Sequence, residues 1–306
     1  MFFGTPSFAL PSLQTLVRCP DEVVAVVTQP DRKKGRGRKV ISSPVKELAL
    51  HEGVFLLQPE KVKEESFQVG LRNLNPDLFI VVAYGQILPE SLLFIPKYGA
   101  VNVHASLLPK YRGAAPIAWA ILNGEKTTGV TTMRMDEGMD TGDLLLQSEI
   151  PIGEGDTTES LRNRLASLGA EVLMETLKRM KTGEIRPIPQ DHSKATYAPM
   201  LKKEDGQIDW TSEADVIDRQ VRAFHPWPGA YTGWQGQLLK IYRGEVRQGR
   251  STGKPGTILW VGTDFIEIET GKDSYVLKEV QLEGKRKMST RDFLAGHPVA
   301  VGTGLH

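Results

Sequence analysis

The sequence of 306 residues contains a single cysteine, Cys19. One thiol cannot form an internal disulfide, and it cannot supply the several thiolates of a structural zinc or iron–sulfur site. Long apolar runs are missing too, because no stretch approaches the roughly 20 consecutive apolar residues that a membrane-spanning helix needs. Residues 1–17 carry no lysine or arginine, whereas a secretory signal starts with a positively charged region. We therefore expect a cytoplasmic protein, in a bacterial cytosol or an organelle matrix, with no membrane partner.

The common cofactor motifs are absent from the sequence as well. Its glycines do not form the G-x-G-x-x-G motif of dinucleotide-binding folds. Residues 249–254 are one residue short of a phosphate-binding loop, and Pro255 stands where a magnesium-binding serine or threonine would be. No G-x-S-x-G marks a hydrolase nucleophile, and the six histidines contain no pair with zinc-ligand spacing. The motifs therefore predict neither a nucleotide cofactor nor a metal.

The first half of the chain alternates between short apolar runs and helical stretches. Runs without polar alternation are typical of strands that are buried on both faces of a parallel sheet. The expected strands are residues 23–28, 78–83, 100–103 and 131–135, and the expected helices are residues 11–17, 44–51, 64–74 and 157–181. This order predicts an α/β fold with an open, doubly wound, Rossmann-like sheet.

The character of the sequence changes after residue 183. Prolines and polar residues there indicate a connector, and short strands separated by turns follow a helix at residues 214–224. The expected strands are residues 238–242, 256–261, 265–270 and 274–280, which is typical of a small β-barrel of the oligonucleotide-binding (OB-like) type. The expected organisation is an α/β domain over residues 1–189, a linker over 190–206 and a β-barrel domain over 207–306.

The net charge is close to zero, since 38 Lys and Arg residues stand against 37 Asp and Glu residues. This balance conceals three basic clusters, at residues 32–39, 240–254 and 285–287. The first is the densest and includes two glycines; its basic residues are Arg32, Lys33, Lys34, Arg36, Arg38 and Lys39. Local clusters in a neutral chain indicate a polyanion bound at chosen places, although any one cluster alone is more typical of a solvated surface.

One strand of the first half ends in an unusual pair of polar side chains. Asn102 and His104 are two residues apart, so they project from the same face of a strand. They lie at the carboxyl edge, where open α/β sheets bind ligands. An amide donor beside an imidazole can stabilise an oxyanion and transfer a proton. The acidic loop at residues 136–142 also follows a strand, so we expect it at the same edge, where one of its carboxylates would orient the ring. The alternative is a histidine that only satisfies its own hydrogen bonds.

These residues resemble a known superfamily. Residues 102–116 read N-V-H-A-S-L-L-P-K-Y-R-G-A-A-P and residues 136–142 read D-E-G-M-D-T-G, and both segments are similar to those of the folate-dependent formyltransferases. Three further features resemble the tRNA branch of that superfamily, the methionyl-tRNA formyltransferases. They are F-x-G-T-P at residues 2–6, the basic loop, and a second domain that begins near residue 206 and contains F-H-P-W-P-G-A at residues 224–230.

The resemblance implies an activity and the residues that perform it. The donor would be 10-formyltetrahydrofolate, the acceptor would be the α-amino group of methionyl initiator tRNA, and the enzyme would be a monomer without a metal. The catalytic residues of the family match Asn102, His104 and Asp140. The folate pocket would be lined by Ser106, Leu107, Leu108, Pro109, Gln86, Ile87 and Leu88. The basic loop would bind the acceptor stem of the tRNA, with Arg36 as its central contact.

Other acceptors and other classes of protein remain alternatives. A formyltransferase that acts on an amino sugar shares the catalytic segment, but a small sugar has no use for the basic loop. A formyltransferase of purine synthesis lacks the second domain, and a formyltetrahydrofolate hydrolase needs no basic clusters. A tRNA-binding protein with an inactive α/β domain is a different class, and the presence of Asn102, His104 and Asp140 argues against it.

Overall fold

The computed structural model of the chain describes residues 1–34, 39–249 and 253–306. Contacts between residues divide the chain into two compact units, and each is described by itself. Unit 1 consists of Met1–Pro116, Thr127–Pro151 and Arg162–Pro199, and unit 2 consists of Ile117–Lys126, Ile152–Leu161 and Met200–His306.

Unit 1 is built on a seven-stranded sheet with a separate hairpin. Its strands are β1 (Phe2–Gly4), β2 (Val26–Val27), β3 (Arg32–Lys34), β4 (Lys39–Ile41), β5 (Leu56–Leu57), β6 (Phe79–Val82), β7 (Ala100–His104), β8 (Thr127–Arg134) and β9 (Leu144–Pro151). The strand order of the sheet is β5-β2-β1-β6-β7-β8-β9, while β3 and β4 pair only with each other. The strands from β5 to β7 in this order are parallel. The expected Rossmann-like α/β class is confirmed.

β8 runs in the opposite direction to the expectation, and β9 again runs in the same direction as β7. β8 is antiparallel to β7, with His104 opposite Thr131, and β9 is antiparallel to β8. β9 is the edge strand, and residues along it alternate between more and less exposed positions. An antiparallel edge with one solvated face is common on an otherwise parallel sheet. The apolar run at residues 131–135 indicated burial correctly, but burial alone does not determine strand direction.

Four of the helices described in the first 199 residues are close to the predicted ones, and two short helices, Glu90–Leu93 and Pro116–Leu122, were not predicted. The helices are α1 (Leu10–Arg18), α2 (Pro44–His51), α3 (Glu65–Asn73), α4 (Glu90–Leu93), α5 (Pro116–Leu122) and α6 (Thr158–Thr182). The start of α2 shows how the sequence determines a boundary: the Ser43 hydroxyl accepts a hydrogen bond from the Lys46 amide at 3.0 Å, and Pro44 occupies the first turn. The core of unit 1 includes Phe3, Val27 and Val81 from the sheet, packed with residues of α3 and α4.

Unit 2 contains a small antiparallel sheet and two helices of its own. Its elements are α7 (Ala214–Ala223), β10 (Ala230–Trp234), β11 (Gln237–Arg247), β12 (Ile258–Val261), β13 (Ile266–Glu269), β14 (Ser274–Leu282), β15 (Met288–Ser289) and α8 (Thr290–Gly296). The strands follow the order β10-β11-β14-β13-β12, and β15 pairs with β14. Ile217 and Val221 of α7 are buried in the core that lies against this sheet.

The end of the chain joins the two outer strands of this sheet. Gly304 forms an antiparallel bridge with Thr257, just before β12, and the His306 amide donates to the carbonyl of Gly233 in β10 at 3.1 Å. The terminal segment therefore connects β12 to β10, so the sheet curves into a barrel-like arrangement as expected.

Candidate active site

Asn102 and His104 lie at the carboxyl end of β7. This strand pairs with parallel β6 on one side and with antiparallel β8 on the other. Both side chains project from the same face of the strand, because they are two residues apart. Asn102 is partly exposed, whereas His104 is buried. The strand therefore places a partly exposed amide next to an imidazole that is shielded from water.

The ring of His104 is held by one hydrogen bond. Its Nε2 lies 2.9 Å from the main-chain carbonyl of Tyr111. A carbonyl can only accept, so Nε2 donates and carries a proton. The other ring nitrogen, Nδ1, lies 3.6 Å from Oδ2 of Asp140. This distance is too long for a hydrogen bond but suits an ion pair, so Nδ1 is the ring nitrogen that faces the carboxylate.

The carboxylate of Asp140 contacts three groups of the site. Besides facing His104, its Oδ2 accepts a hydrogen bond from the Gly113 amide at 2.8 Å, and its Oδ1 accepts from Asn102 Nδ2 at 3.4 Å. Gly113 has φ +118°, and a Cβ there would lie 2.8 Å from the Ala198 carbonyl oxygen. Only glycine can bring its amide to Asp140 in this way. The predicted catalytic residues are thus brought together around one carboxylate.

The loop at residues 136–142 is shaped by its own polar and small residues. Asp136 Oδ1 accepts hydrogen bonds from the Gly138 amide at 3.0 Å and from the Thr141 hydroxyl at 2.7 Å. Gly142 is required because a Cβ at this position would collide with the Arg134 carbonyl. This explains why the sequence D-E-G-M-D-T-G combines acids and glycines at these positions.

Asp140 lies beside His104 because of the path of the loop at residues 136–142, and not because of the direction of the strand before it. Because β8 is antiparallel to β7, the loop begins near Val101, which is opposite Arg134 at the amino end of β7. The expectation that both polar segments leave the sheet at one carboxyl edge is therefore wrong. Asp140 reaches the site through a left-handed turn with φ 54°, which aspartate tolerates better than most residues.

The turn that follows β7 is held by a buried threonine. The Thr131 hydroxyl donates to the Ser106 carbonyl at 2.7 Å and accepts from the Leu108 amide at 3.1 Å, and Gln147 Nε2 donates to it at 2.9 Å. Of the residues expected to line a folate pocket here, Ser106 and Leu108 are buried, while Leu107 and Pro109 are partly exposed. The Ser106 hydroxyl donates to the Lys110 carbonyl at 2.6 Å, so this hydroxyl stabilises the turn.

The second expected pocket segment, residues 86–88, follows β6. Since β6 and β7 are parallel neighbours, their carboxyl ends meet at one edge of the sheet. Gln86 hydrogen-bonds to the Val62 amide and the Glu60 carbonyl. Leu88 is buried in the core, whereas Ile87 is 75% exposed. Ile87 therefore offers exposed apolar surface at this edge of the sheet.

Tyr84 lies just before that segment and is buried in the core of unit 1. Burial raises the pKa of its phenol, so the hydroxyl stays protonated. Within the part of the chain that the structure describes, this hydroxyl has no hydrogen-bond partner.

The basic loop is carried by the hairpin of β3 and β4, which follows β2. Arg32 is exposed, and its Nη2 lies 3.4 Å from Gln29 Oε1. Lys33, Lys34 and Lys39 lie on the two paired strands. Arg36 and Arg38 lie outside the described residues, so their predicted contacts stay predictions.

The base of this hairpin is joined to helix α2. Lys46 Nζ donates to Asp31 Oδ2 at 2.6 Å, and Gln58 Nε2 donates to Asp31 Oδ1 at 3.0 Å. These two hydrogen bonds, that of Lys46 first, hold the pKa of Asp31 below its usual value. The hydroxyls of Thr28 and Ser43 lie 2.8 Å apart and connect the two ends of the segment. The single acid at the start of the basic loop, Asp31, therefore acts as an anchor that joins the base of the hairpin to α2.

None of the helices in residues 1–34, 39–249 and 253–306 is long and apolar enough to span a membrane. The same residues contain no group of three or more His, Cys, Asp or Glu side chains that could hold a metal ion.

Comparisons with known protein families show the family to which the chain belongs. A family model described as formyl transferase matches residues 1–177, and a second, described as formyl transferase, C-terminal domain, matches residues 200–298. The chain is 53% identical over 302 residues to the methionyl-tRNA formyltransferase of Citrifermentans bemidjiense, with 99% of this chain and 94% of that relative covered. The chain belongs to the methionyl-tRNA formyltransferase family.

Solved structures share the fold of this member of the methionyl-tRNA formyltransferase family at lower identity. One is WlaRD, a sugar 3N-formyl transferase crystallised with dTDP and 5-N-formyl-THF; it is 20% identical with a TM-score of 0.69, over 93% of this chain and 97% of that one. Another is HypX from Aquifex aeolicus in complex with tetrahydrofolic acid, 22% identical with a TM-score of 0.59. The match covers 84% of this chain and 47% of HypX, so this chain spans about half of that protein.

Several residues around the site were not predicted as functional from the sequence. Tyr111 and Gly113 contribute a main-chain carbonyl and a main-chain amide, so their side chains give no chemical signal. Gln190 contacts the Asp140 loop from fifty positions further along the chain, in a segment interpreted as a linker. Arg112 is within the recognised motif, and an arginine that is 2% exposed is unusual, but burial is visible only in the structure.

Proposed function

We propose that this chain transfers the formyl group of 10-formyltetrahydrofolate to the α-amino group of methionine esterified to initiator tRNA. For the chemistry, the observation that carries the proposal is the contact of Asp140 with both Asn102 and His104. For the acceptor, the support is the 53% identity over 99% of the chain to a relative named methionyl-tRNA formyltransferase.

Asn102 is the proposed donor to the oxyanion. Attack of the amine on the formyl carbon places negative charge on the formyl oxygen, and a fixed donor at that oxygen lowers the barrier. One N–H of the Asn102 amide is directed to Asp140 at 3.4 Å. An amide has two N–H groups, so the second is free to meet the oxyanion.

His104 is the proposed proton carrier. The reaction moves one proton from the attacking amine to the leaving N10 nitrogen of the folate as the new C–N bond forms and the old one breaks. Because Nε2 is engaged with the Tyr111 carbonyl, Nδ1 performs this exchange. Asp140 lies 3.6 Å from Nδ1 and balances the charge when the ring carries both protons.

The folate is proposed to bind between the ends of β6 and β7. The folate supplies the formyl carbon, and the chain supplies apolar surface for its flat ring from Ile87, Leu88, Leu107, Leu108 and Pro109. Gln86 and Ser106 hold the two segments in shape through their bonds to main-chain atoms.

The tRNA is proposed to bind through the basic hairpin. The contacts are assigned to Arg32, Lys33, Lys34, Arg36, Arg38 and Lys39, which carry enough charge to bind phosphates. We further propose that residues 1–189 form the catalytic domain, residues 190–206 the linker and residues 207–306 a domain that contacts the tRNA backbone.

The enzyme is proposed to act as a monomer in the bacterial cytosol or an organelle matrix. The single cysteine is typical of a reducing compartment.

The test is formyl transfer by the purified protein in the presence of competing acceptors. Methionyl initiator tRNA, free methionine and a dTDP-linked amino sugar are offered together with 10-formyltetrahydrofolate, and each product is quantified. The proposal expects formyl-methionyl-tRNA as the dominant product. Formylation of the amino sugar in preference to the tRNA would instead support the alternative acceptor.

A further inference from the structure

Gln190 is a buried side chain that joins the Asp140 loop to a buried arginine. Its Nε2 donates to the main-chain carbonyls of Asp140 at 2.9 Å and Gly142 at 2.7 Å. Its Oε1 accepts from Arg112 Nε at 3.1 Å and from Arg112 Nη2 at 2.6 Å. Both N–H groups and both lone pairs of the amide are therefore used, and Gln190 is only 5% exposed.

The chemistry of these partners determines how the Gln190 amide is oriented. Two carbonyls can only accept and a guanidinium can only donate. Reversal of the amide would place an oxygen against the two carbonyls and an NH₂ group against the arginine. Only glutamine offers two donors on one side and an acceptor on the other at this reach, so the position is specific for this side chain.

Arg112 in turn holds Gln190 in place. Its side chain is 2% exposed, and its contacts in the described part of the chain are Gln190 Oε1 and His192 Nδ1, with no carboxylate among them. The main chain of Arg112 is joined to Thr196 and Ala198 by two further hydrogen bonds. A buried cation without an acidic partner is costly, so the hydrogen bonds to Gln190 and His192 must compensate for the burial of Arg112.

Asp140 needs such support because of its backbone conformation. A residue with a Cβ at φ 54° is in the left-handed region and persists there only when its surroundings hold it. Gln190 binds the carbonyl of Asp140 itself. The segment that carries Gln190 is joined to the end of the loop by two main-chain bonds between Leu144 and Ile188, at 2.8 and 2.9 Å.

We propose that Gln190, oriented by Arg112, is a positioning residue for the formyl transfer: it holds the left-handed turn that directs the Asp140 carboxylate at His104 and Asn102. This inference rests on the proposed function. It predicts that loss of Gln190 acts through Asp140, on the rate of reaction rather than on the binding of either substrate.

The test compares Gln190→Ala in two backgrounds. In the otherwise unchanged enzyme, kcat is expected to fall by about 10- to 100-fold, because displacement of a catalytic group by about 1 Å lowers the rate by up to about 10². KM for the folate and for the tRNA should stay within about twofold. In an Asp140→Ala enzyme, the same change should alter the residual kcat by less than about twofold, since there is no carboxylate left to position.

Gln68→Ala is the matched control. Gln68 is also a buried glutamine of unit 1 whose amide donates to a main-chain carbonyl, that of Lys63 at 3.3 Å, but it lies on α3 outside the site. Its loss should leave kcat unchanged. The proposal is overturned if Gln190→Ala lowers kcat no more than Gln68→Ala, or lowers it equally in the presence and absence of Asp140.

Three additional variants separate an effect on the position of Gln190 from an effect on folding. Arg112→Lys keeps the charge and one donor and should retain more activity than Arg112→Ala. Gln190→Glu can still accept from Arg112 but sets an oxygen against the two carbonyls, so it should lose as much kcat as Gln190→Ala. A fully active Gln190→Glu enzyme would show that the two carbonyl contacts are irrelevant, and would overturn the proposal.

A spectroscopic readout makes the inference independent of the acceptor. The ¹⁵N resonances of the His104 ring should change in Gln190→Ala and stay unchanged in Gln68→Ala, because only the former displaces the carboxylate near Nδ1. If the natural enzyme does not formylate methionyl-tRNA, the proposed function fails, and these resonances alone decide whether Gln190 positions Asp140. Unchanged resonances in Gln190→Ala would overturn the inference.

Discussion

His104 and Tyr111 are joined by a 2.9 Å hydrogen bond from the imidazole Nε2 to the main-chain carbonyl. The carbonyl of Tyr111 reaches the ring because Tyr111 has φ 61°, a conformation that a bulky residue rarely adopts. Its amide is held by the Thr196 hydroxyl at 2.9 Å. This strained turn engages one ring nitrogen with the main chain, while the other ring nitrogen faces Asp140.

This division of the ring gives a prediction for two substitutions of His104. His104→Ala should lower kcat by about 10² to 10⁴, the usual contribution of a general acid or base. In His104→Gln, the glutamine amide can still donate to the Tyr111 carbonyl, but an amide neither gains nor releases a proton near neutral pH. We therefore expect the same loss of kcat. Steady-state kinetics and a thermal melt of each variant provide the check. Substantial activity in His104→Gln would mean that the histidine only stabilises the turn.

Asn102 gives the second prediction. Asn102→Ala should lower kcat by about 10² to 10³, the typical cost of removing one oxyanion donor, with little change in folate binding. Asn102 is partly exposed and lies on a strand whose other residues form the core, so the melting temperature should hardly change. Folate affinity by equilibrium titration and kcat on methionyl-tRNA are the measurements. A variant with near-normal kcat would remove Asn102 from the catalytic set.

The sequence predicted the elements of the fold because their signals are local. Residues 44–51 were expected as a helix and form α2 with the same bounds, since Ser43 and Pro44 mark its start. The direction of β8 could not be obtained in this way. The apolar run indicates only that both faces are covered, and direction depends on how the connection returns to the sheet.

The proposed catalytic residues were likewise identifiable from the sequence, but the groups that orient them were not. Asn102, His104 and Asp140 have side chains whose chemistry can be recognised in a sequence. The groups that orient them are the Tyr111 carbonyl, the Gly113 amide and the amide of Gln190. Main-chain groups are present at every position, and Gln190 is separated from Asp140 by fifty residues, so only the folded structure can show these contacts.

The third prediction concerns Arg36, which the sequence places at the centre of the basic loop. Arg36→Ala should reduce kcat/KM for methionyl-tRNA by roughly 10- to 100-fold, because a charge-assisted contact contributes about 1.5–3 kcal/mol. Folate binding should be unaffected. Arg72→Ala, which removes an exposed arginine from α3, is the control for the loss of one positive charge. Equal effects of the two substitutions would show that the loop makes no particular contact.

The fourth prediction uses the acid dependence of stability at Asp191. The Ser193 hydroxyl, then Lys194 and the Ser193 amide, hydrogen-bond to this carboxylate and lower its pKa to about 2. A lowered pKa in the folded state gives stability that is fully present above about pH 4 and is lost as the pH falls towards 2. Asp191→Asn should therefore be less stable than the natural protein at pH 6, and the difference should shrink below about pH 4. Urea unfolding of both proteins between pH 6 and 2.5 measures it; a pH-independent difference would contradict the assignment.

The last prediction concerns Asp31, for which charge and structure predict opposite effects of a substitution on tRNA binding. By charge alone, removal of an acid next to the basic loop should strengthen the binding of a polyanion. The structure predicts the reverse, because Asp31 accepts hydrogen bonds from Lys46 and Gln58 and so joins the base of the hairpin to α2. Asp31→Ala should therefore raise KM for methionyl-tRNA several-fold and leave the folate KM unchanged.

Glu47→Ala separates the two effects. Glu47 is an exposed acid on α2, the helix that also carries Lys46. Its removal changes the net charge by the same amount without breaking the anchor, so KM for methionyl-tRNA should stay constant or fall. If Asp31→Ala also lowers KM for methionyl-tRNA, charge outweighs the anchor, and the hairpin does not need its connection to α2 to bind tRNA.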